Sequence, residues 1–87
     1  MTDPVLAELR RQISEIDRSI IEAFNRRLEV VGQIKAHKVE HGIEFLDVNR
    51  EAEMLAQQSG ENRGPLSEAG LRALYAELLA LTKRELD

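Results

Sequence analysis

From Leu6 the apolar positions run Leu6, Leu9, Ile13, Ile16, Ile20, Ala23, then Val30 and Ile34, in steps of three and four that trace one helical stripe. A second stripe, Ile21, Phe24, Leu28 and Val31, lies beside the first and makes the middle of this helix apolar over a wide arc. Two neighbours are needed to cover it. Asp3 and Pro4 supply an N-cap and a first-turn proline. No proline follows until Pro65, and Gly32 sits inside a pattern that runs on to Ile34 and Val39. Gly42, after His41, reads as the C′ stop. Some 35 helical residues span about 50 Å, whereas a compact chain of this size has a radius of gyration of about 12 Å. The helix therefore overhangs its own chain, and its apolar ends call for a second copy.

The stretch from His41 to Leu46 reads as a short loop with apolar anchors, and Asp47 as the N-cap of a second, short helix carrying Val48, Glu51, Met54 and Leu55 and ending near Gln58. The run Ser59-Gly60-Glu61-Asn62-Arg63-Gly64-Pro65 has loop composition. Ser67 can cap a third helix with Leu71, Leu74, Tyr75, Leu78, Leu79, Leu81 and Leu86 as its apolar positions. There are no strand signals and no repeats. The expected architecture is all-α, a long, a short and a medium helix forming one domain over residues 1–87, in an intertwined homodimer.

Composition narrows the chemistry. A chain of 87 residues is too short to bury a large core alone. It has no cysteine, and two lone histidines, His37 and His41, are a poor zinc set; no metal or cofactor is expected. A formal charge of -4 argues against a nucleic-acid footprint. The N-terminus lacks a basic region followed by an apolar run, and no apolar stretch approaches the roughly 20 residues of a membrane helix. A soluble, cytoplasmic protein without a membrane partner is the expectation.

Several charged residues break the pattern. Four residues after Ala23 the first stripe meets Arg27, a guanidinium at a core position. Its ordinary role would be to snorkel or to meet an acid. Lys38 follows eleven residues later, returning to nearly the same face about 16 Å along. The pair can converge on a molecule whose carboxylate suits Arg and whose lone oxygen suits Lys. Arg10 flanks Leu9 and Ile13, with Arg11 beside it; a solvated charge is the bland alternative. Arg10 lies about 25 Å from Arg27, so the two cannot grip one small ligand within one chain. In an antiparallel dimer with its two-fold near residue 21, Arg10 of one chain falls level with the Arg27-to-Lys38 span of the other. Asp47, Arg50 and Glu51 open the second helix, where a cap, a surface charge and a first-turn acid are commonplace. Thr82 shares a stripe with Leu71, Tyr75 and Leu78, where a back-bonded core threonine is the ordinary reading. No nucleophile, metal cluster or paired acid and base stands out.

Taken together, Leu9-Arg10 with Ile13, Ile16 and Asp17, then Arg27, Lys38, Asp47-x-x-Arg50-Glu51 and Thr82 resemble the all-helical (AroQ-type) chorismate mutases, over roughly Val5 to Glu85. The resemblance implies an intertwined dimer with two equivalent sites, each completed by the partner's first-helix arginine. On it, Arg10 and Arg27 would bind the two carboxylates of chorismate, and Lys38 would donate to the ether oxygen. Arg50 would reinforce the carboxylate contacts, Glu51 and the Asp47 region would hold the ring hydroxyl, and Thr82 would contact a carboxylate. One departure stands out: the family usually has Gln or Glu four residues after the small hydroxyl residue, as a second contact to the ether oxygen. Here that position is Leu86, with Glu85 before it. Either Glu85 reaches in by local rewinding, or Lys38 works alone, or the terminus is incomplete.

The implied reaction is the rearrangement of chorismate to prephenate in aromatic amino-acid biosynthesis. An isochorismate-pyruvate lyase on the same scaffold would keep Arg10, Arg27 and Lys38, but the Arg50-Glu51 pair and the Asp47 spacing favour the mutase. A ligand-sensing domain of a shikimate-pathway enzyme, fused to it or acting with it, is a reading from another class, and a plain helical dimerisation module a third.

Overall fold

The computed structural model describes residues 3–44 and 48–87; Phe45, Leu46 and Asp47, the last predicted as an N-cap, lie outside the described residues. Three helices follow one another, α1 (Pro4–His41), α2 (Val48–Glu61) and α3 (Glu68–Leu86), and no strand occurs among the described residues.

Helix α1 starts where the side chain of Asp3 accepts from the amides of Val5 and Leu6, at 2.9 and 3.2 Å, satisfying two donors of the first turn. It ends in a Schellman arrangement. Gly42 adopts φ +64°, its amide reaches Val39 O at 3.4 Å, and the Ile43 amide reaches Lys38 O at 2.9 Å. A Cβ at Gly42 would meet no atom but would be strained by that φ. The stop therefore fixes the backbone of Lys38, whose carbonyl it uses.

The structure comprises two compact parts, Met1–Gln33 and Ile34–Asp87. In the first, the stripe predicted as core is bare: Leu9, Ile13, Ile16 and Ile20 are 49, 57, 58 and 60% exposed. None of these four side chains is buried among the described residues. Arg27 departs from the expected register. It is half-buried together with Phe24, Leu28 and Val31, three residues from the first and one from the second, so it belongs to the second stripe rather than interrupting the first.

The second part is built on α2 and α3. Leu71 is buried, and Leu55, Tyr75, Leu78, Leu79 and Leu81 are half-buried, whereas Leu74 is 56% exposed and is not a core position. Ser67 caps α3, its hydroxyl accepting from the Gly70 amide at 3.0 Å. Helix α2 does not end near Gln58 as its composition predicts but continues to Glu61. The Asn62 amide still bonds Gln58 O at 2.9 Å, and the Ser59 hydroxyl lies 2.7 and 2.9 Å from the two carboxylate oxygens of Glu68. Tertiary hydrogen bonding thus overrides the weak helix propensity of Ser59 and Gly60. Asn62 then ends the helix, accepting from the Gly64 amide and donating to Leu66 O.

Candidate active site

Arg10 and Arg27 belong to the Met1–Gln33 part. Arg10 is exposed and has no hydrogen-bond or ion-pair partner among the described residues. Its neighbour Arg11 is fully engaged on the surface, gripping Glu8 from Nε and Nη2 at 2.9 and 2.6 Å and pairing with Glu15. The Arg11 guanidinium holds the Glu8 carboxyl below its usual range, with Gln12 assisting. Adjacent arginines that look alike in the sequence are therefore distinct: Arg11 has an intrahelical acid on either side, and Arg10 has its guanidinium to offer elsewhere. The i−3 and i+4 positions of Glu8 and Glu15 carry this distinction in the sequence itself.

The Ile34–Asp87 part contains Lys38, Arg50, Glu51, Thr82, Glu85 and Leu86. Lys38 is half-buried in the last turn of α1. Arg50 is exposed and lies 3.7 Å from Glu53 on its own helix. Glu51 is half-buried and pairs with the Lys83 ammonium of α3 at 3.3 Å, a contact that ties α2 to α3 at this residue. Thr82 is 6% exposed, and its hydroxyl donates to Leu78 O at 2.7 Å. That bond commits the hydroxyl proton to the backbone; to donate to a carboxylate, Thr82 has to exchange it.

Helix α3 runs without rewinding through Leu86, which leaves Leu86 half-buried and Glu85 exposed. The place four residues after Thr82 is thus filled by an aliphatic side chain on a regular α-helical turn. A shallow apolar groove between α2 and α3, lined by Glu51, Ala52, Leu55, Tyr75 and Leu79, shares only Glu51 with the predicted set.

Two further residues make contacts that their sequence positions do not announce. Lys35 donates from Nζ to the backbone carbonyl of Leu86 at 2.7 Å, and Lys83 reaches Glu51. Both contacts join residues far apart in the chain, and helical periodicity carries no signal for such pairs.

The sequence matches the model of the chorismate mutase type II family over residues 9–85. The chain belongs to that family. Two solved chorismate mutase structures from Thermus thermophilus superpose closely on it. One, form I, has 30% identity and a TM-score of 0.85, covering 88% of this chain and 96% of that one. The other, form II, has 29% identity and a TM-score of 0.86, covering 91% and 90%. A T-protein from Haemophilus influenzae is 40% identical over 50 residues, 58% of this chain; the match spans only 13% of that protein's length. The all-helical chorismate mutase fold, seen here as three helices and no strand among the described residues, is thus the fold of this chain. The family match contains every candidate cation and ends at Glu85, one residue short of Leu86.

Proposed function

We propose that this member of the chorismate mutase family rearranges chorismate to prephenate in a homodimer, each site joining Arg10 of one chain to Arg27 and Lys38 of the other. The observation that carries the reading is the family match over residues 9–85, within which Arg10, Arg27, Lys38, Arg50, Glu51 and Thr82 all fall. The dimer is supported by the bare stripe of Leu9, Ile13, Ile16 and Ile20. Covering four half-exposed aliphatic side chains is worth on the order of 4 kcal/mol per chain.

The reaction breaks the ether C–O bond and forms a C–C bond within one molecule, so no atom is gained or lost and no nucleophile is required. The two arginines bind the two carboxylates and hold the flexible dianion in its reactive, chair-like shape, converting conformational freedom into orientation. Negative charge grows on the ether oxygen as the C–O bond lengthens. The Lys38 ammonium, its backbone fixed by the Gly42 stop, favours that charge over the ground state. Arg50 reinforces carboxylate binding, Glu51 accepts from the ring hydroxyl beside the Asp47 region, and Thr82 contacts a carboxylate after releasing Leu78 O. A net-acidic chain binds a dianion by concentrating its cations in one place.

We place the activity in the cytoplasm, in aromatic amino-acid biosynthesis; no helix among the described residues is long and apolar enough to cross a membrane. The 50-residue match inside a longer T-protein supports a domain that also works within, or beside, larger enzymes.

The test is to mix the protein with chorismate and follow loss of its ultraviolet absorbance together with the product. Prephenate is expected. Pyruvate would instead identify the lyase, and unchanged chorismate a binding or dimerisation module. A finer expectation concerns the end of α3. Because Leu86 is half-buried and Glu85 exposed, Glu85→Gln leaves the rate and its pH profile unchanged, whereas Leu86→Gln, by adding a donor, raises kcat by about tenfold. A rate change in Glu85→Gln alone would show that Glu85 reaches the substrate.

A further inference from the structure

The last carbonyls of a helix have no partner within it, and a terminal turn left to water frays. Helix α3 ends at Leu86, yet its end is tied down by a side chain 51 residues away: Lys35 Nζ donates to Leu86 O at 2.7 Å from a partly buried position. A cation there is favoured by the partial negative charge at the helix C-terminus, and partial burial reduces its screening. The basic residues of α3's own last turn are directed elsewhere, Lys83 to Glu51 and Arg84 to Glu77 at 3.1 Å.

The position of this bond links two candidate site groups. Lys35 stands one turn before Lys38 on α1, on a neighbouring stretch of helix surface. Leu86 closes the α-helical turn that begins at Thr82, since its amide bonds back four residues. This cross-helix bond therefore ties the α1 turn that leads to Lys38 to the α3 turn carrying Thr82. Lys83, adjacent to Thr82, extends the same register to Glu51 on α2.

From this arrangement we infer that Lys35 is a positioning residue for catalysis: by holding the last carbonyl of α3 it sets where Thr82 stands relative to Lys38. The inference rests on the mutase reading for its kinetic part. Its local part, that Lys35 holds the turn, stands independently.

The test compares the intact wild-type chain with Lys35→Met, which keeps the aliphatic stem, and Lys35→Arg, which keeps a cationic donor. Amide hydrogen exchange is measured by NMR and turnover of chorismate in parallel. In Lys35→Met, protection of the Arg84, Glu85 and Leu86 amides falls while that of Leu74–Leu79 is kept. With it, kcat/KM per folded molecule drops about tenfold, in line with the cost of small misplacements in a site. Lys35→Arg restores both. Unchanged kinetics with a frayed turn would show the bond to be merely structural. Reduced kcat/KM with unchanged protection would show that Lys35 acts through its charge on the substrate. Either result overturns the inference. If the wild type fails to turn over chorismate, the proposed function falls, while the exchange data still decide whether Lys35 holds the helix end.

Discussion

Lys38→Met lowers kcat by about 10²- to 10³-fold, the usual cost of removing a preorganised donor from the atom where charge develops. The loss is expected in kcat more than in KM, because the ammonium interacts more strongly with the stretched C–O bond than with the resting ether. Methionine preserves the length and most of the apolar stem, so the helix and its Gly42 stop persist. Circular dichroism checks that, and stopped assays on chorismate measure the rate. Activity within tenfold of wild type would move the ether-oxygen contact to another residue. Because Leu86 offers no polar atom from its side chain, the expected loss lies at the upper end of the range.

The second large effect is expected from mixing. On the proposed shared site, Arg10→Ala and Arg27→Ala would each remove one carboxylate clamp, and each homodimer should lose most of its activity. Equal amounts of the two chains, unfolded and refolded together, form heterodimers in which one site has both arginines and the other has neither. With random pairing the mixture recovers about a quarter of wild-type activity, the value set by two-fold symmetry. Sedimentation at micromolar concentration should show a species of twice 9.9 kDa in every sample. Heterodimers that form without recovering activity would place Arg10 outside the site or within the same chain's site. A folded, active monomer would remove the shared site altogether.

The parts of the fold legible in the sequence are those governed by neighbours in the chain. Asp3-Pro4 and Gly42 bound α1 because capping and a left-handed turn are local demands, and Ser67 starts α3 for the same reason. Helix α2 runs past the end its composition predicts because Ser59 is held by Glu68, nine residues on, which outweighs a loop-like composition. The candidate site divides in the same way. Helical spacing singles out Arg27 and Lys38 as long cations on an apolar surface. Lys35 and Lys83 do not stand out, since their roles depend on carbonyl and carboxylate groups brought up by other helices. Thr82 is legible as a back-bonded core residue, and its bond to Leu78 O is that back-bond.

The uncovered aliphatic stripe of α1 has a consequence for how output scales with expression. If each site needs two chains, the concentration of working sites below the dissociation constant follows the square of the chain concentration. Doubling synthesis in that regime gives about a fourfold gain in flux, and halving it is equally disproportionate. In the proposed dimer, Leu9, Ile13, Ile16 and Ile20 would thus make gene dosage a steep control on product supply. Tethering two copies by a flexible linker would flatten that dependence to a straight line.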